Sequence, residues 1–333
     1  MRAHVVRRRL LMALTAFVVV VLVGGIGAAV FIGTLQAEFD NGRAVIPDAG
    51  AFPAASLRPP QATGTARDAQ NILLLGTDTR GNSPTSLDAI RAQRSDTMMI
   101  VHVPADRKHI YVVSVMRDSW VTIPGYAHAK INAALSYGGV PLVVQTLEGL
   151  LHLRIDHVAV VSFAGFSGLT DALGGVTVHN SIAFRERGEH FAAGDIRLNG
   201  TQALIYVRAR YPFPDGDYQR IRNQQAYLKG VIRALLTPGT LLDPIKVSNT
   251  VKAVAPYLLV DKGLDAAYVG SMALSLRSLH ESDIHFFSVP TTGTAMIGDQ
   301  SVVLLDQPKL AELAKLLRED RVDQYRPCKG DFC

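Results

Sequence analysis

The chain has 333 residues, which is enough for one large domain or two small ones. Its hydrophobic content of 48% and charged content of 19% predict that most of the chain folds. The formal charge is +5, but removing Arg2, Arg7, Arg8 and Arg9 from that total leaves only +1. A nearly neutral body excludes a general nucleic-acid binder, so no nucleic-acid partner is expected.

Residues 10–33 form an uncharged apolar stretch that is long enough to span a bilayer as a helix. Arginines precede this stretch, so the positive-inside tendency places residues 1–9 in the cytoplasm and the chain after residue 34 outside. A cleaved signal peptide is the alternative, but its apolar core would be unusually long and no small-x-small cleavage site follows. We therefore predict a single-pass cell-membrane anchor, followed by a Pro- and Ala-rich linker over residues 34–70.

Three apolar runs are predicted to be strands: 71–75, 97–103 and 110–115. Charged residues lie just before or just after each run: Asp78, Arg80, Arg94, Asp96, Arg117 and Asp118. Neighbouring strands can gather such charges at one edge of a sheet, where buried charges must be paired or must bind a ligand. Carboxylates among arginines favour Mg²⁺ with a phosphate or pyrophosphate, whereas ordinary surface salt bridges are the alternative.

Strand and helix patterns alternate over the rest of the chain. Residues 133–152 are predicted to form one or two helices, broken near Gly138, Gly139 and Pro141. Further helices are predicted over 164–174, 217–237, 263–279 and 307–318, and strands over 157–163, 175–180, 284–289 and 301–305. Residues 185–200 are predicted to be a charged loop. Asp217 is the predicted N-cap of the helix over 217–237. This alternation predicts one α/β domain over residues 71–320. The tail 321–333 holds Cys328 and Cys333, and their disulfide state stays open.

Residues 206–225 carry a second group of side chains that suit phosphate binding. Arg208 and Arg210 are two residues apart, so they face the same way if the chain there is extended. Three polar side chains share one face of the predicted helix that follows: Asp217, Arg220 and Gln224. Arginine grips phosphate through a planar fork, and glutamine adds a neutral donor. The alternative is a solvated helix face, which the two upstream arginines disfavour.

Several catalytic motifs are absent from the sequence, among them the Walker A loop, G-x-G-x-x-G, H-E-x-x-H and G-x-S-x-G. The ten histidines show no metal-ligand spacing. Lys130 by itself is a weak signal, but beside a phosphate it would supply a point charge. The chemistry most compatible with these residues is phosphoryl transfer, in which the protein positions the phosphate groups and neutralises their charge.

The order of these motifs resembles the LytR-CpsA-Psr family over roughly residues 70 to 237. The matching segments are NILLLGTDTR, RSDTMMIVHV, RDSWVTIPG, KINAALSYGG, HVAVVSFAGFSGLTDALGGV and the Arg-x-Arg, Gly-Asp-x-x-Arg and Gln-Gln region. The resemblance implies a membrane-anchored extracellular transferase that moves an anionic glycopolymer from a polyprenyl-pyrophosphate carrier to peptidoglycan and releases polyprenyl phosphate. It also implies a single α/β domain with a central mixed sheet, flanking helices and an apolar groove for the lipid.

The resemblance also assigns roles to individual residues. Asp78 and Asp96 take the Mg²⁺ positions, and Asp217 matches the acid that begins the last motif. Positions around the pyrophosphate are taken by Arg80, Arg117, Lys130, Arg208, Arg210, Arg220 and Gln224. Among all of these, Arg117, Arg220 and Asp96 are the residues expected to carry catalysis. The sequence departs from the family pattern at Met116, where proline is usual, and at Asn223, where arginine is usual.

Alternatives to the transferase remain at this stage. The same site would serve a pyrophosphatase that uses water as the acceptor, or a surface receptor that binds a polyanionic lipid without chemistry. A transcription regulator is disfavoured because the body is nearly neutral and is expected outside the cell. Either Asp96 or Asp118 could accept the proton of the attacking hydroxyl, and the sequence does not choose between them.

Overall fold

The computed structural model describes residues 30–77, 95–213, 215–237, 239 and 243–327, without the side chains of residues 96 and 163. Several predicted features therefore lie outside the described residues: Asp78, Arg80, Cys328, Cys333 and residues 10–29 of the predicted anchor. Within the described ranges, no helix combines the length and the apolar composition needed to cross a bilayer.

Helices and strands alternate along much of the described chain, as predicted. The helices are α1 (30–42), α2 (Asp48–Ala51), α3 (Ala133–Leu151), α4 (Phe163–Ala172), α5 (Gly200–Arg208), α6 (Gly216–Leu236), α7 (Pro244–Val254), α8 (Ala266–Ser275) and α9 (Gln307–Arg318). The strands are β1 (Ala44–Ile46), β2 (Gln70–Thr77), β3 (Ser95–Val103), β4 (Ile110–Val115), β5 (Trp120–Thr122), β6 (His128–Lys130), β7 (His157–Ser162), β8 (Val176–Asn180), β9 (Phe184–Glu186), β10 (Glu189–Phe191), β11 (Gly194–Leu198), β12 (Leu258–Asp261), β13 (Ile284–Ser288), β14 (Thr291–Ile297) and β15 (Gln300–Leu305).

A seven-stranded sheet in the order β1-β12-β7-β2-β3-β4-β13 forms the centre of the fold. Its pairings are mixed, because β2 runs parallel to β7 but antiparallel to β3. Two-stranded ladders join β5 to β6, β8 to β11, β9 to β10 and β14 to β15. The predicted mixed α/β architecture with flanking helices is therefore confirmed.

The strand register brings the charged ends of three predicted strands to one edge of the sheet. Thr77 at the end of β2 pairs with Ser95 at the start of β3. Val115 at the end of β4 pairs with Met98, close to the same edge. Ser162 at the end of β7 pairs with Thr77 from the other side. The chain that follows β4, which carries Arg117 and Asp118, therefore starts at this edge.

The two faces of the sheet support different layers. Leu73 and Leu75 of β2 belong to a buried core that also contains Leu147 of α3 and Leu313 of α9. The opposite face of the central strands turns toward α4, α5 and α6. Gly139 has a φ of 68° and interrupts α3, which confirms the predicted break in that helix.

Residues 185–200 were predicted to be a loop, and that prediction is wrong for much of the segment. Strands β9 and β10 form a hairpin in which Phe184 pairs with Phe191, and their rings stack with centroids 4.7 Å apart. Gly188 occupies the turn with a φ of 85°. The hairpin is short and charged, so its pattern resembles that of a loop, and its stability comes from two buried aromatic rings.

Part of the predicted linker over residues 34–70 also lies in the folded domain. Strand β1 pairs in parallel with β12 at the edge of the central sheet. Its last residue, Ile46, is fully buried in the main core. The folded unit in the structure therefore includes residues that precede residue 71.

Candidate active site

Two aspartates meet at the charged edge of the sheet. Asp118 follows β4 and is 5% exposed, and Asp217 lies in the first turn of α6. Arg117 and Arg210 each approach both carboxyl groups. Burial acts to raise the pKa of Asp118, but hydrogen bonding with Asp217 and the neighbouring cations lower that pKa below its ordinary value. Burial raises the pKa of Asp217, which Arg220 opposes and Asp118 reinforces, so the pair holds one proton more readily than two free carboxylates would.

Four cationic side chains surround this pair. Arg220 Nη2 lies 2.6 Å from Asp217 Oδ1, and Arg210 Nη2 lies 3.2 Å from Asp217 Oδ2. Lys130 Nζ lies 3.5 Å from Asp118 Oδ1. The Lys130 separation exceeds hydrogen-bond length, whereas the two arginine separations lie within it.

Arg117 lies between the two acids. Its Nε is 3.8 Å from Asp118 Oδ2 and 4.0 Å from Asp217 Oδ1. The backbone around Arg117 is fixed from both sides, because its carbonyl oxygen accepts the Asn132 N–H at 3.1 Å and the Asp118 carbonyl oxygen accepts the Val303 N–H at 2.9 Å. Such anchoring fixes the backbone from which the guanidinium group extends.

Packing brings α6 against the loop that carries Arg117. Met116 is buried together with Tyr218 and Ile221 of α6. The departure from proline at this position therefore supplies an apolar contact between the loop and the helix. This contact places Arg220 beside Arg117.

The start of α6 differs from the predicted one. The helix begins at Gly216 with Asp215 as its N-cap residue, so the prediction that Asp217 caps the helix is wrong. Gly216 allows a close approach, since a Cβ atom there would lie 2.9 Å from Arg210 Cγ. Asp217 instead occupies the first helical turn, where the helix dipole favours a carboxylate and the side chain can face the arginines.

Arg208 and Arg210 reach the same site, although not through an extended segment. Arg208 is the last residue of α5, and Arg210 follows in the connection to α6. Side chains of α6 hold the end of α5, because Asn223 Nδ2 donates to the Tyr206 carbonyl at 3.2 Å and Gln224 Nε2 donates to the Val207 carbonyl at 3.3 Å. The unusual Asn223 therefore has a structural role in this chain.

The cationic side chains open onto a pocket of about 210 Å³. It is lined by Arg117, Glu186, Arg187, Ile205, Val207, Arg208, Arg210, Tyr211, Arg220 and Gln224. Five of the seven residues predicted to surround the pyrophosphate are in this lining, while Lys130 contacts Asp118 from β6. Arg80 lies outside the described residues, and Asp96 is described only by its backbone in β3.

Three polar residues of the pocket were missed by sequence reasoning. Glu186 and Arg187 come from the β9–β10 hairpin, and Tyr211 follows α5. The dense charge of RERGEH, residues 185–190, could have indicated a ligand-binding segment. The segment shows no strand pattern, so the hairpin was not predicted. The hairpin adds a charged rim to the pocket.

An apolar cleft adjoins the pocket. Its lining consists of Leu74, Leu75, Gly76, Thr97, Met99, Val161, Phe166, Val207, Gln224 and Leu228. Val207 and Gln224 belong to both the cleft and the pocket, so the two spaces are neighbours. The free volume of this cleft is about 60 Å³, so it is too small to hold a polyprenyl chain as it stands. The predicted lipid groove near Arg117, Arg208 and Arg220 stays a prediction.

The described side chains do not complete a metal site. Within the described ranges, no group of three or more His, Cys, Asp or Glu side chains is arranged to hold a metal ion. Asp118 and Asp217 nevertheless provide hard oxygen donors, and Mg²⁺ commonly takes one or two carboxylates together with phosphate oxygens and water. The predicted ligands Asp78 and Asp96 stay predictions.

Comparisons with known proteins agree with one another. A sequence model of the LytR_cpsA_psr family matches residues 50–319. The cell wall biosynthesis protein LcpA of Corynebacterium glutamicum is 32% identical over 287 residues, which cover 73% of this chain and 54% of that protein. A polyisoprenyl-teichoic acid–peptidoglycan teichoic acid transferase of Enterococcus faecalis, TagU, is 36% identical over 209 residues, which cover 62% of this chain and 66% of TagU.

Solved structures share the fold. A structure of TagT bound to LI-WTA superposes with a TM-score of 0.60 at 25% identity, and the match covers 81% of this chain and 98% of that one. The chain spans about half to two thirds of the length of the two curated relatives above. Because the family model covers most of the sequence, this chain belongs to the LytR_cpsA_psr family.

Proposed function

We propose that this protein is a phosphotransferase that moves an anionic glycopolymer from a polyprenyl-pyrophosphate carrier to peptidoglycan. The observation that carries the proposal is the junction of two spaces, a pocket lined by Arg117, Arg208, Arg210 and Arg220 and an apolar cleft that shares Gln224 with it. A pyrophosphate joined to a lipid has the matching two-part chemistry, with a polyanion at one end and a hydrocarbon at the other.

The arginines bind and orient the pyrophosphate. Each guanidinium group can donate two parallel hydrogen bonds to phosphate oxygens, which fixes geometry as well as charge. An acceptor hydroxyl then forms a bond to the phosphorus that carries the glycan, and the bond from that phosphorus to the bridging oxygen breaks. Polyprenyl phosphate leaves with the bridging oxygen. Arg117 and Arg220 stabilise the negative charge that develops on the equatorial and leaving oxygens.

The proton of the acceptor hydroxyl requires a base. Asp118 is one candidate, because its low pKa keeps it ionised at neutral pH and it lies within the cluster. Asp96 is the other candidate, since its backbone lies at the same edge of the sheet. The pH profiles of the two variants decide between them, because only loss of the true base removes the rise in rate on the acidic limb, where the base becomes ionised.

The cleft between the sheet and α4–α6 is the proposed entry for the polyprenyl tail. Its walls are almost entirely apolar, from Leu74 and Met99 on the sheet to Phe166 and Leu228 on the helices. A free volume of about 60 Å³ holds only a short piece of hydrocarbon. Binding of the lipid therefore requires the helices to move away from the sheet.

Mg²⁺ is the proposed cofactor, held by Asp78 and Asp96 near the pyrophosphate. When bound, it would supply positive charge to the phosphate oxygens and so assist departure of the lipid phosphate. The arginines that line the pocket support this site as one for a polyanion. The arginines perform the remaining binding and orientation.

The proposed location is the outer face of the cell membrane. The apolar stretch 10–33, preceded by four arginines, supports a single-pass anchor with a cytoplasmic N-terminus. This topology would place the active site beside its membrane-bound donor and the peptidoglycan. Protease added to intact, wall-stripped cells should then degrade the body of the protein, and protection of the body would exclude this topology.

The names of two similar proteins favour transfer to peptidoglycan over hydrolysis. TagU is named as a transferase from polyisoprenyl-teichoic acid to peptidoglycan, and TagT has been solved with a wall teichoic acid ligand. The test is product analysis with a labelled polyprenyl-pyrophosphate-linked glycopolymer, with and without peptidoglycan. Label that appears in peptidoglycan supports the transferase. Release of soluble glycan phosphate in both reactions would support a pyrophosphatase, and an unchanged donor would leave the receptor hypothesis.

A further inference from the structure

The hairpin of β5 and β6 presents a polar and aromatic face away from the core. Its register places Trp120 opposite Lys130 and Thr122 opposite His128, so these four side chains share one face. The intervening Val121 points the other way and belongs to the buried core. The shared face is therefore available to a ligand, and we refer to Trp120, Thr122, His128 and Lys130 as the hairpin face.

The hairpin face combines ring surface with hydrogen-bonding groups. The rings of Trp120 and His128 lie with centroids 6.5 Å apart and planes tilted by 32°. Thr122 Oγ1 lies 3.1 Å from His128 Nε2, and both residues are exposed. Such a surface can accept an apolar ring face and the polar groups at the rim of the same ring.

A second aromatic pair lies at the tip of the hairpin, where it meets α3. Tyr126 and Tyr137 stack with ring centroids 4.6 Å apart and an angle of 23° between their planes. The Tyr126 hydroxyl also donates to the Tyr137 carbonyl oxygen at 3.2 Å. The two residues are nevertheless 49% and 46% exposed. A stacked ring that remains half exposed keeps much of its other face in water, and exposed aromatic surface of this kind marks binding sites.

The hairpin is joined directly to the active-site cluster. Lys130 Nζ approaches Asp118 at 3.5 Å. The Ile131 N–H donates to the Ser119 carbonyl at 2.9 Å, and the Asn132 N–H donates to the Arg117 carbonyl at 3.1 Å. One end of the hairpin face therefore lies beside Asp118, and the hairpin is tied to the backbone that positions Arg117.

We propose that the hairpin face, together with Tyr126 and Tyr137, binds the sugar rings of the acceptor glycan strand and guides one hydroxyl to the cluster. The proposal rests on the transferase function proposed above. Pyranose rings have apolar C–H faces that pack on aromatic rings, while their hydroxyls suit Thr122 and His128.

Charge distinguishes the acceptor from the donor polymer. The four side chains of the hairpin face include no carboxylate, and the one lysine among them turns toward Asp118. The anionic donor polymer fits better at the pocket rim, which carries Arg187 and Arg210. A glycan strand whose contacts are made through neutral sugar rings fits the aromatic hairpin. The two glycans would therefore approach the phosphorus from different sides.

Trp120 gives this proposal a direct test because it is the only tryptophan in the chain. The full-length protein is titrated with soluble, uncrosslinked peptidoglycan glycan strands in the absence of any donor, and tryptophan fluorescence is recorded. We expect a saturable change. Tyr126→Ala should weaken binding about fivefold to tenfold, in line with the loss of one aromatic contact. Tyr126→Phe keeps the ring and should bind as the wild type does.

Met296→Ala is the matched control, because Met296 is 65% exposed on β14, outside the hairpin face. It should leave binding unchanged. In the transfer assay, Tyr126→Ala should raise KM for the acceptor by the same factor and leave KM for the donor and kcat unchanged. No fluorescence change with glycan strands, or equal affinity in wild type and Tyr126→Ala, would overturn the proposal. Tighter binding of the anionic donor polymer than of glycan strands would also overturn it. Specific strand binding without any transfer product would instead count against the transferase alone.

Discussion

Two buried groups of charge in this protein are built on opposite principles. In the first, Arg58 donates to Glu148 through Nε at 3.0 Å and Nη2 at 2.7 Å, and Glu148 also accepts the Ile155 N–H at 2.9 Å. The two side chains are only 9% and 1% exposed. One cation meets one acid, and further hydrogen bonds satisfy the acid.

The cluster at the sheet edge is built differently. Four cations converge on Asp118 and Asp217 with charge separations from 2.6 to 4.0 Å, namely Arg117, Lys130, Arg210 and Arg220. The three arginines also line an open pocket. A ligand site is therefore recognised by cations that converge on a pocket, whereas a close ion pair alone marks structure.

The largest expected effect comes from breaking the balanced pair. Glu148→Ala leaves Arg58 as a buried and unpaired cation, so it should lower the free energy of unfolding by about 3 to 5 kcal/mol. Denaturant unfolding measures this loss. Glu281→Ala is the control, since the exposed Arg233–Glu281 pair should contribute at most about 1 kcal/mol. Transfer activity per folded molecule should be unchanged, and a loss of that activity in Glu148→Ala would remove the proposed contrast.

Removing a cation from the cluster at the sheet edge should act mainly on transfer. Arg117→Ala and Arg220→Ala should each lower transfer per folded molecule on the order of a hundredfold or more, as for other preorganised charge stabilisers. Lysine should restore little activity, because it lacks the planar fork. Arg222→Ala is the matched control, since Arg222 pairs with Asp215. Near wild-type transfer in both cluster variants would overturn the site assignment and favour a surface receptor that binds a polyanionic lipid without chemistry.

A third prediction tests a structural carboxylate through pH. Burial acts to raise the pKa of Asp261, but hydrogen bonds from His157 and from the N–H groups of Val158 and Gly263 hold it below the ordinary value. A depressed native pKa stabilises the fold above the unfolded pKa of about 3.9, and this stabilisation disappears as pH falls through the native pKa. Asp261→Asn should therefore cost about 1.5 to 3 kcal/mol at pH 7.

The difference between Asp261→Asn and the wild type should shrink below about pH 4, where the native carboxylate also becomes protonated. Urea unfolding at a series of pH values measures this convergence. A constant difference across the series would show that packing, and not the charge of Asp261, determines the loss.

The smallest expected effect concerns the predicted metal ligand. Asp96→Asn replaces an anionic oxygen by a neutral one, so transfer should fall by about tenfold and recover partly at raised Mg²⁺. Initial rates over a Mg²⁺ titration measure the shift. The Arg220→Ala variant is the comparison, because added Mg²⁺ should not restore it. An Asp96→Asn variant with the wild-type Mg²⁺ dependence would remove Asp96 from the metal site.

Much of the architecture was predictable because it depends on local patterns. The central strands, the break in α3 at Gly139 and the bounds of α9 follow from apolar periodicity and from glycine and proline positions. The hairpin of β9 and β10 was not predictable in the same way, because three-residue strands have too few positions to show alternation. Only the packing of Phe184 on Phe191 identifies it.

The candidate site likewise combines features that the sequence predicts with features that depend on packing. The spacing of Asp217, Arg220 and Gln224 predicted that they share one helix face, and in the structure Arg220 lies 2.6 Å from Asp217 on that face. The prediction of an extended segment at Arg208 and Arg210 was wrong, since Arg208 is the last residue of α5. They meet at the pocket because Asn223 and Gln224 hold the end of α5 against α6, which is a contact between elements.

The sequence by itself determined the chemical inventory of this protein: apolar strands, charges at their ends, an arginine-rich segment and the order of motifs that marks the family. These follow from residue type and spacing along the chain. Only the tertiary structure decided that Arg117 lies between Asp118 and Asp217, that the pocket adjoins an apolar cleft and that the β5–β6 hairpin reaches the cluster. The physical reason is that such contacts depend on strand order and helix packing, which bring together residues separated by about a hundred positions in the chain.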